Sequence, residues 1–154
     1  MANKTGSLQG NMRLKERVKE RPIRTFAASP ELCFELQRIG ERECIPAGSM
    51  LFREGDKNRG VFLVLRGRFA LSSGEDPTRI TRIAEKGSLL GLPATVRRKP
   101  YSLTAEATAN AEVCVISAKR FREMLSTNTL LGMTVVSMLA EEVSTLRRLV
   151  VHKV

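Results

Sequence analysis

The feature that most constrains this chain is a change of hydrophobic period along its length. Between residues 43 and 117 the apolar residues come in short runs, separated by Gly, Pro, Asp and Ser clusters about every 8–12 residues. Beyond Ser117 they recur at helical spacing. Short strands broken by turns call for a small antiparallel sandwich or roll. Glu43-Cys44-Ile45 leads into the turn Pro46-Ala47-Gly48, and Met50-Leu51-Phe52 is a short strand closed by Glu54-Gly55-Asp56. Val61-Phe62-Leu63-Val64-Leu65 is apolar throughout and reads as a buried strand. Phe69-Ala70-Leu71 and the segment around Ile80 and Ile83 form a hairpin across the Ser72–Pro77 loop. In Tyr101–Ala107, Tyr101, Leu103, Ala105 and Ala107 alternate with Ser102, Thr104 and Glu106, the pattern of a half-buried strand. Val113 and Val115 mark the last strand. Gly48, Gly55, Gly67 and Gly87 stand where the chain reverses, at backbone angles a side chain resists.

Helices flank this β region. Ser29 is an N-cap with Pro30 at the first helical position; Leu32, Leu36 and Ile39 follow at helical spacing and Gly40 ends the helix. Ser117 caps a second helix carrying Phe121, Met124 and Leu125. A long helix then runs from about Leu130 to the end. On it Val136, Leu139, Val143, Leu146 and Val150 are spaced 3-4-3-4, an a/d seam. A terminal helix after a compact β domain has little of its own chain left to cover, so this seam is expected to hold a homodimer. The predicted organisation is a basic tail over 1–25, a roll with flanking helices over 26–128, and a dimer helix over 129–154.

Charge and chemistry narrow the function. The 154 residues suffice for one domain with its own core. The net charge is +10, and residues 1–25 carry seven basic side chains against two acidic ones. Such a balance favours anionic partners. Cys33, Cys44 and Cys114 make an odd count without a CxxC, so neither a disulfide framework nor a four-thiolate metal site is expected. Free thiols and the lack of a signal peptide or spanning segment point to the cytoplasm and away from membranes. His152 is the sole histidine, which removes histidine triads and multi-histidine metal sites. There is no nucleophile–base signature, GxGxxG or P-loop, and Glu141-Glu142 reads as a solvated helix face. No enzyme is predicted.

Four motifs follow one another in order: Ile45-Pro46-Ala47-Gly48, Leu51-Phe52-Arg53-Glu54-Gly55-Asp56, Phe62-Leu63-Val64-Leu65-Arg66-Gly67 and Gly87-Ser88-Leu89-Leu90-Gly91. With the terminal helix behind them, they resemble the cyclic nucleotide-binding domain, specifically the effector domain of the Crp–Fnr transcription regulators. The resemblance covers roughly residues 29–151. It implies a mainly β fold, an antiparallel jelly-roll (a double-stranded β-helix) with flanking helices, and dimerisation along a long helix.

The resemblance also implies a ligand site, and there the sequence departs from the family. Its nucleotide binders use a phosphate-binding cassette: a glycine, then a glutamate for the ribose, and near the end an arginine for the cyclic phosphate beside a Ser or Thr. In this chain Gly91 matches the glycine and Ser102 the hydroxyl residue. The glutamate position is Leu92 and the arginine position is Tyr101. On the long helix, Leu146 and Arg147 stand where the family's binders place hydroxyl residues against the base. Losing the phosphate partner costs about 2–5 kcal/mol and losing the ribose acceptor about 1–3 kcal/mol. Micromolar affinity amounts to about 8 kcal/mol in all. The cassette is therefore degenerate: cyclic nucleotide is disfavoured as a ligand and no cofactor is implied. Arg97, Arg98 and Lys99 are candidate replacement contacts for an anion. Crp–Fnr regulators continue into a helix-turn-helix domain, whereas this sequence stops at Val154, so their DNA binding is not carried over. The expected function is a regulatory sensor module that signals by rearranging a helical dimer. Two alternatives stay open: a ligand-free roll that pairs with a full-length regulator, and a nucleic-acid binder acting through its basic tail.

Overall fold

In a computed structural model of the chain, the residues described are 23–25, 27–74 and 80–152; for residues 23–24, 80–81 and 143–152 only the backbone is described. Two sheets face each other. One has the lateral order β1 (Ile23–Arg24), β6 (Ile80–Ala84), β5 (Phe69–Ser72), β8 (Thr104–Ala107) and β3 (Met50–Phe52). The other runs β2 (Glu41–Ile45), β9 (Ala111–Ile116), β4 (Val61–Arg66) and β7 (Leu89–Leu90). Neighbouring strands pair antiparallel except β1 and β6, which are parallel. Among the described residues four helices accompany them: α1 (Pro30–Ile39), α2 (Leu92–Arg97), α3 (Ala118–Thr127) and α4 (Thr129–His152). This is the jelly roll with flanking helices that the sequence predicts.

The apolar run of β4 explains how the layers are joined. Side chains alternate across a strand, so Phe62 and Val64 enter the cluster between the sheets, with Phe52, Phe69 and Leu71. Val61 and Leu63 point the other way, into a second cluster with Leu32 and Leu36 of α1, Phe121 of α3, and Leu131 and Val135 of α4. The strand is buried on both faces because helices cover the outside of the four-stranded sheet, which is why it is not amphipathic. The two N-caps form as expected. The Ser29 hydroxyl accepts from the Leu32 N–H and the Ser117 hydroxyl from the Arg120 N–H, each at 3.2 Å.

Four expectations need correction. The tail does not extend to residue 25: Ile23 and Arg24 pair with Arg82 and Ile83, and the Thr25 N–H donates to the Ile83 carbonyl at 3.0 Å. The rest of the expected tail, residues 1–22, lies outside the described residues. The strand read over Tyr101–Ala107 begins only at Thr104. Between Leu92 and Arg97, where the sequence pattern gives no element, the chain forms a helical turn and a half that starts at Gly91 with φ +79°. Finally, α4 does not leave the roll uncovered. Leu131 and Val135 are buried, and Met138 and Leu139 pack partly against the outer cluster.

Candidate functional site

The segment expected to form the cassette and the sheet beneath it border a cavity of about 50 Å³. Phe52, Leu71, Leu89, Leu90 and Leu103 give its apolar walls; Gly91, Pro93 and Ala94 bring the start of α2 to it; Tyr101 and Ser102 close one side. Thr25, Arg82 and Glu142 supply the remaining polar groups. Sites for small organic ligands usually offer roughly 300–1,000 Å³. This one holds a few solvent-sized atoms.

Tyr101 is the reason. It is 2% exposed and its ring stacks on Phe52, with centroids 4.0 Å apart and planes 17° from parallel. Its hydroxyl donates to the Gly60 carbonyl at 2.8 Å and accepts from the Arg59 N–H at 2.9 Å. Burial pushes the phenol above its ordinary value of 10.0, against the pull of the backbone groups of Arg59 and Gly60. The backbone is built to this ring. Gly91, in the left-handed region, approaches so closely that a Cβ there would lie 2.9 Å from the Tyr101 ring. Gly60 has φ +123°, and a Cβ there would meet the Ile116 carbonyl oxygen. Tyr101, expected at the arginine position of a cassette, is a phenol locked into the protein's own core.

The sequence-predicted site residues divide. Gly91, Tyr101 and Ser102 meet at the cavity, with Tyr101 buried and Ser102 exposed. Leu92 does not join them: it is 1% exposed and belongs to the outer, helix-side cluster. Arg97, Arg98 and Lys99 are exposed and not among the residues lining the cavity. Asn58 ties their loop to the β3–β4 loop, donating to the Lys99 carbonyl at 3.2 Å. Of the expected dimer seam, Val136 is 57% exposed, Leu139 is partly buried against the chain's own core, and the side chains of Val143, Leu146 and Val150 lie outside the described residues. Leu130 and Met133, which were not in that seam, are strongly exposed on the same helix.

Sequence reasoning missed two residues. Glu142, read with Glu141 as solvated face, accepts from Arg82 Nη2 at 3.1 Å, and only 10% of the Arg82 side chain and 14% of the Glu142 side chain remain exposed. Arg82 lies on β6 opposite Leu71, in step with the buried Ala84 two residues on. That parity was the available signal: a strand alternating from Arg82 to Ala84 places an arginine on the inner face. Its Nε has no hydrogen-bond partner among the described residues. The other chemical groups are quieter. Burial raises the Cys33 and Cys114 thiols, which keeps them in the unreactive form. No cluster of metal-ligating side chains occurs among the described residues.

Residues 42–128 match the cyclic nucleotide-binding domain. The chain belongs to the cyclic nucleotide-binding domain family. Its fold is that of Crp–Fnr regulators. The Thermus thermophilus catabolite activator protein superposes with a TM-score of 0.70 at 18% identity, over 79% of this chain and 58% of that one. CprK, solved oxidized and in complex with o-chlorophenolacetic acid, gives 0.70 at 18% identity, over 87% and 56%. A protein solved in work on a cyclic-GMP-dependent signalling pathway of bacterial phytopathogenesis gives 0.64 at 20% identity, over 80% and 98%. This chain thus spans under three-fifths of the length of the first two. Comparison with curated proteins by sequence finds no match. No helix among the described residues is long and apolar enough to cross a membrane.

Proposed function

We propose that this cyclic nucleotide-binding domain is a non-catalytic sensor whose effector is not a cyclic nucleotide, and that α4 carries its signal to a second copy of the chain. The observation that carries the reading is the filled pocket. A cavity of about 50 Å³ narrowed by Tyr101 leaves too little volume for a cyclic phosphate ester, and the cation at its wall, Arg82, is already paired with Glu142. The signalling half rests on α4. Its buried side packs on the roll through Leu131 and Val135, while Leu130, Met133 and Val136 leave an apolar side open in the single chain. Occupancy of the cavity reaches α4 through a group that belongs to both, and Glu142, on α4 and at the cavity wall, is such a group. Control of transcription follows when such a dimer is joined to, or pairs with, a DNA-binding unit.

Thermal unfolding with millimolar cAMP or cGMP tests the effector. A ligand at 100 times its Kd stabilises by about 2.7 kcal/mol, a shift of several degrees for a domain of this size. The expected result is no shift with either nucleotide. A shift of several degrees overturns the reading of the filled pocket.

A further inference from the structure

We infer that the Arg82–Glu142 pair is a competitive site for a small planar oxyanion of acetate or nitrate size, whose binding releases the tie that Glu142 makes between α4 and the roll. The inference rests on the sensor reading above and gives its effector a chemical class.

The geometry of one guanidinium carries it. Nε and Nη2 lie along a single edge, the edge a planar carboxylate fills with two parallel hydrogen bonds. In Arg82 Nη2 donates to Glu142 Oε1 at 3.1 Å, while Nε has no partner among the described residues. The edge is half used. The side chain is nine-tenths buried, so the unmet donor is a permanent charge held away from bulk water, where a partner is worth more than at the surface. Both residues border the cavity, and Glu142 is the one acidic group among its described lining residues. About 50 Å³ admits two to four heavy atoms and excludes a phosphate ester. Phe52 and Leu71 would lie against the uncharged side of such a ligand.

Competition supplies the coupling. Glu142 reaches Arg82 from α4, sixty residues along the chain. An oxyanion that takes both donors displaces a carboxylate that takes one, and the tie between β6 and α4 is lost with it. By reciprocity, weakening Glu142 must tighten the anion by the factor with which the anion loosens α4.

The test uses the full chain. Sodium acetate and sodium nitrate are titrated against sodium chloride at equal ionic strength, which holds screening constant. Tyr101 is the sole tyrosine and there is no tryptophan, so intrinsic fluorescence reports from the cavity wall. Hydrogen exchange reads α4. The expected result is a saturable fluorescence change with acetate or nitrate but not chloride, accompanied by faster exchange around Glu142. Glu142→Gln keeps the shape and removes the competing charge, and is expected to tighten the anion about tenfold, within the usual range of coupling. Arg82→Gln is expected to abolish the response. An equal response to chloride, a flat titration in both wild type and Glu142→Gln, or an unchanged affinity in Glu142→Gln overturns the site. Should Arg82→Gln not fold, the Glu142→Gln arm decides alone. A flat oxyanion titration leaves the sensor reading to its own nucleotide and dimer tests.

Discussion

Tyr101 shows how one side chain can belong to the core and to a cavity wall at once. Its ring fills the space and its hydroxyl joins two backbone groups of the β3–β4 loop. Tyr101→Phe keeps the ring but leaves the Arg59 N–H and Gly60 carbonyl without this partner, which costs about 1–3 kcal/mol. The expected fall in Tm is a few degrees, read by calorimetry or circular dichroism. The same burial sets a pH dependence. The folded phenol titrates above the ordinary 10.0, so the unfolded chain gives up its proton first as pH rises. The contribution is fully present below pH 10 and is lost as pH climbs through the folded value. Phenolate absorbance follows this one group, since the chain has a single tyrosine. A midpoint above 10 is expected in folded protein and one near 10 in denaturant; coincident midpoints would contradict the burial.

At the scale of elements, the structure rests on local signals of unequal clarity. The serine caps of α1 and α3 were legible because an N-cap hydroxyl satisfies an N–H that the helix itself leaves free. Ser29→Ala is expected to lower stability by about 1 kcal/mol, seen as a drop of about 2–4 °C in Tm. No change in Tm would mean that the end of α1 is held by other contacts, such as Leu32 and Leu36 against the outer cluster. The six residues of α2 gave no periodic signal, being shorter than two turns and entered through Gly91 and Pro93. The same turn carries Leu92 into the outer cluster, away from the cavity that its neighbours Gly91 and Pro93 border.

For the whole molecule the decisive question is what α4 touches. A purely intermolecular seam fails for Leu139, which packs partly on its own roll. Among the described side chains of α4, the apolar positions left open are Leu130, Met133 and Val136. Substitutions there remove no core contact, so Met133→Asp with Val136→Asp is expected to leave the fold intact and yield monomers by light scattering. An unchanged dimer mass would remove this side of α4 from the interface. The wild-type Tm should rise with protein concentration, and the double variant's should not.

The strand-and-turn grammar, the helix caps and the family resemblance were all decided by short-range pattern: period two against period three-and-a-half, a serine before a proline, glycines at reversals. They were readable from the chain alone because each depends on residues within a few positions of one another. The state of the pocket was decided only in three dimensions. That Tyr101 reaches Gly60, that Leu92 turns outward, and that Arg82 meets Glu142 are contacts between residues 41 to 60 positions apart, or choices between two faces of one turn. No local pattern encodes such pairings, because they are set by how the sheets and helices close around the two buried clusters.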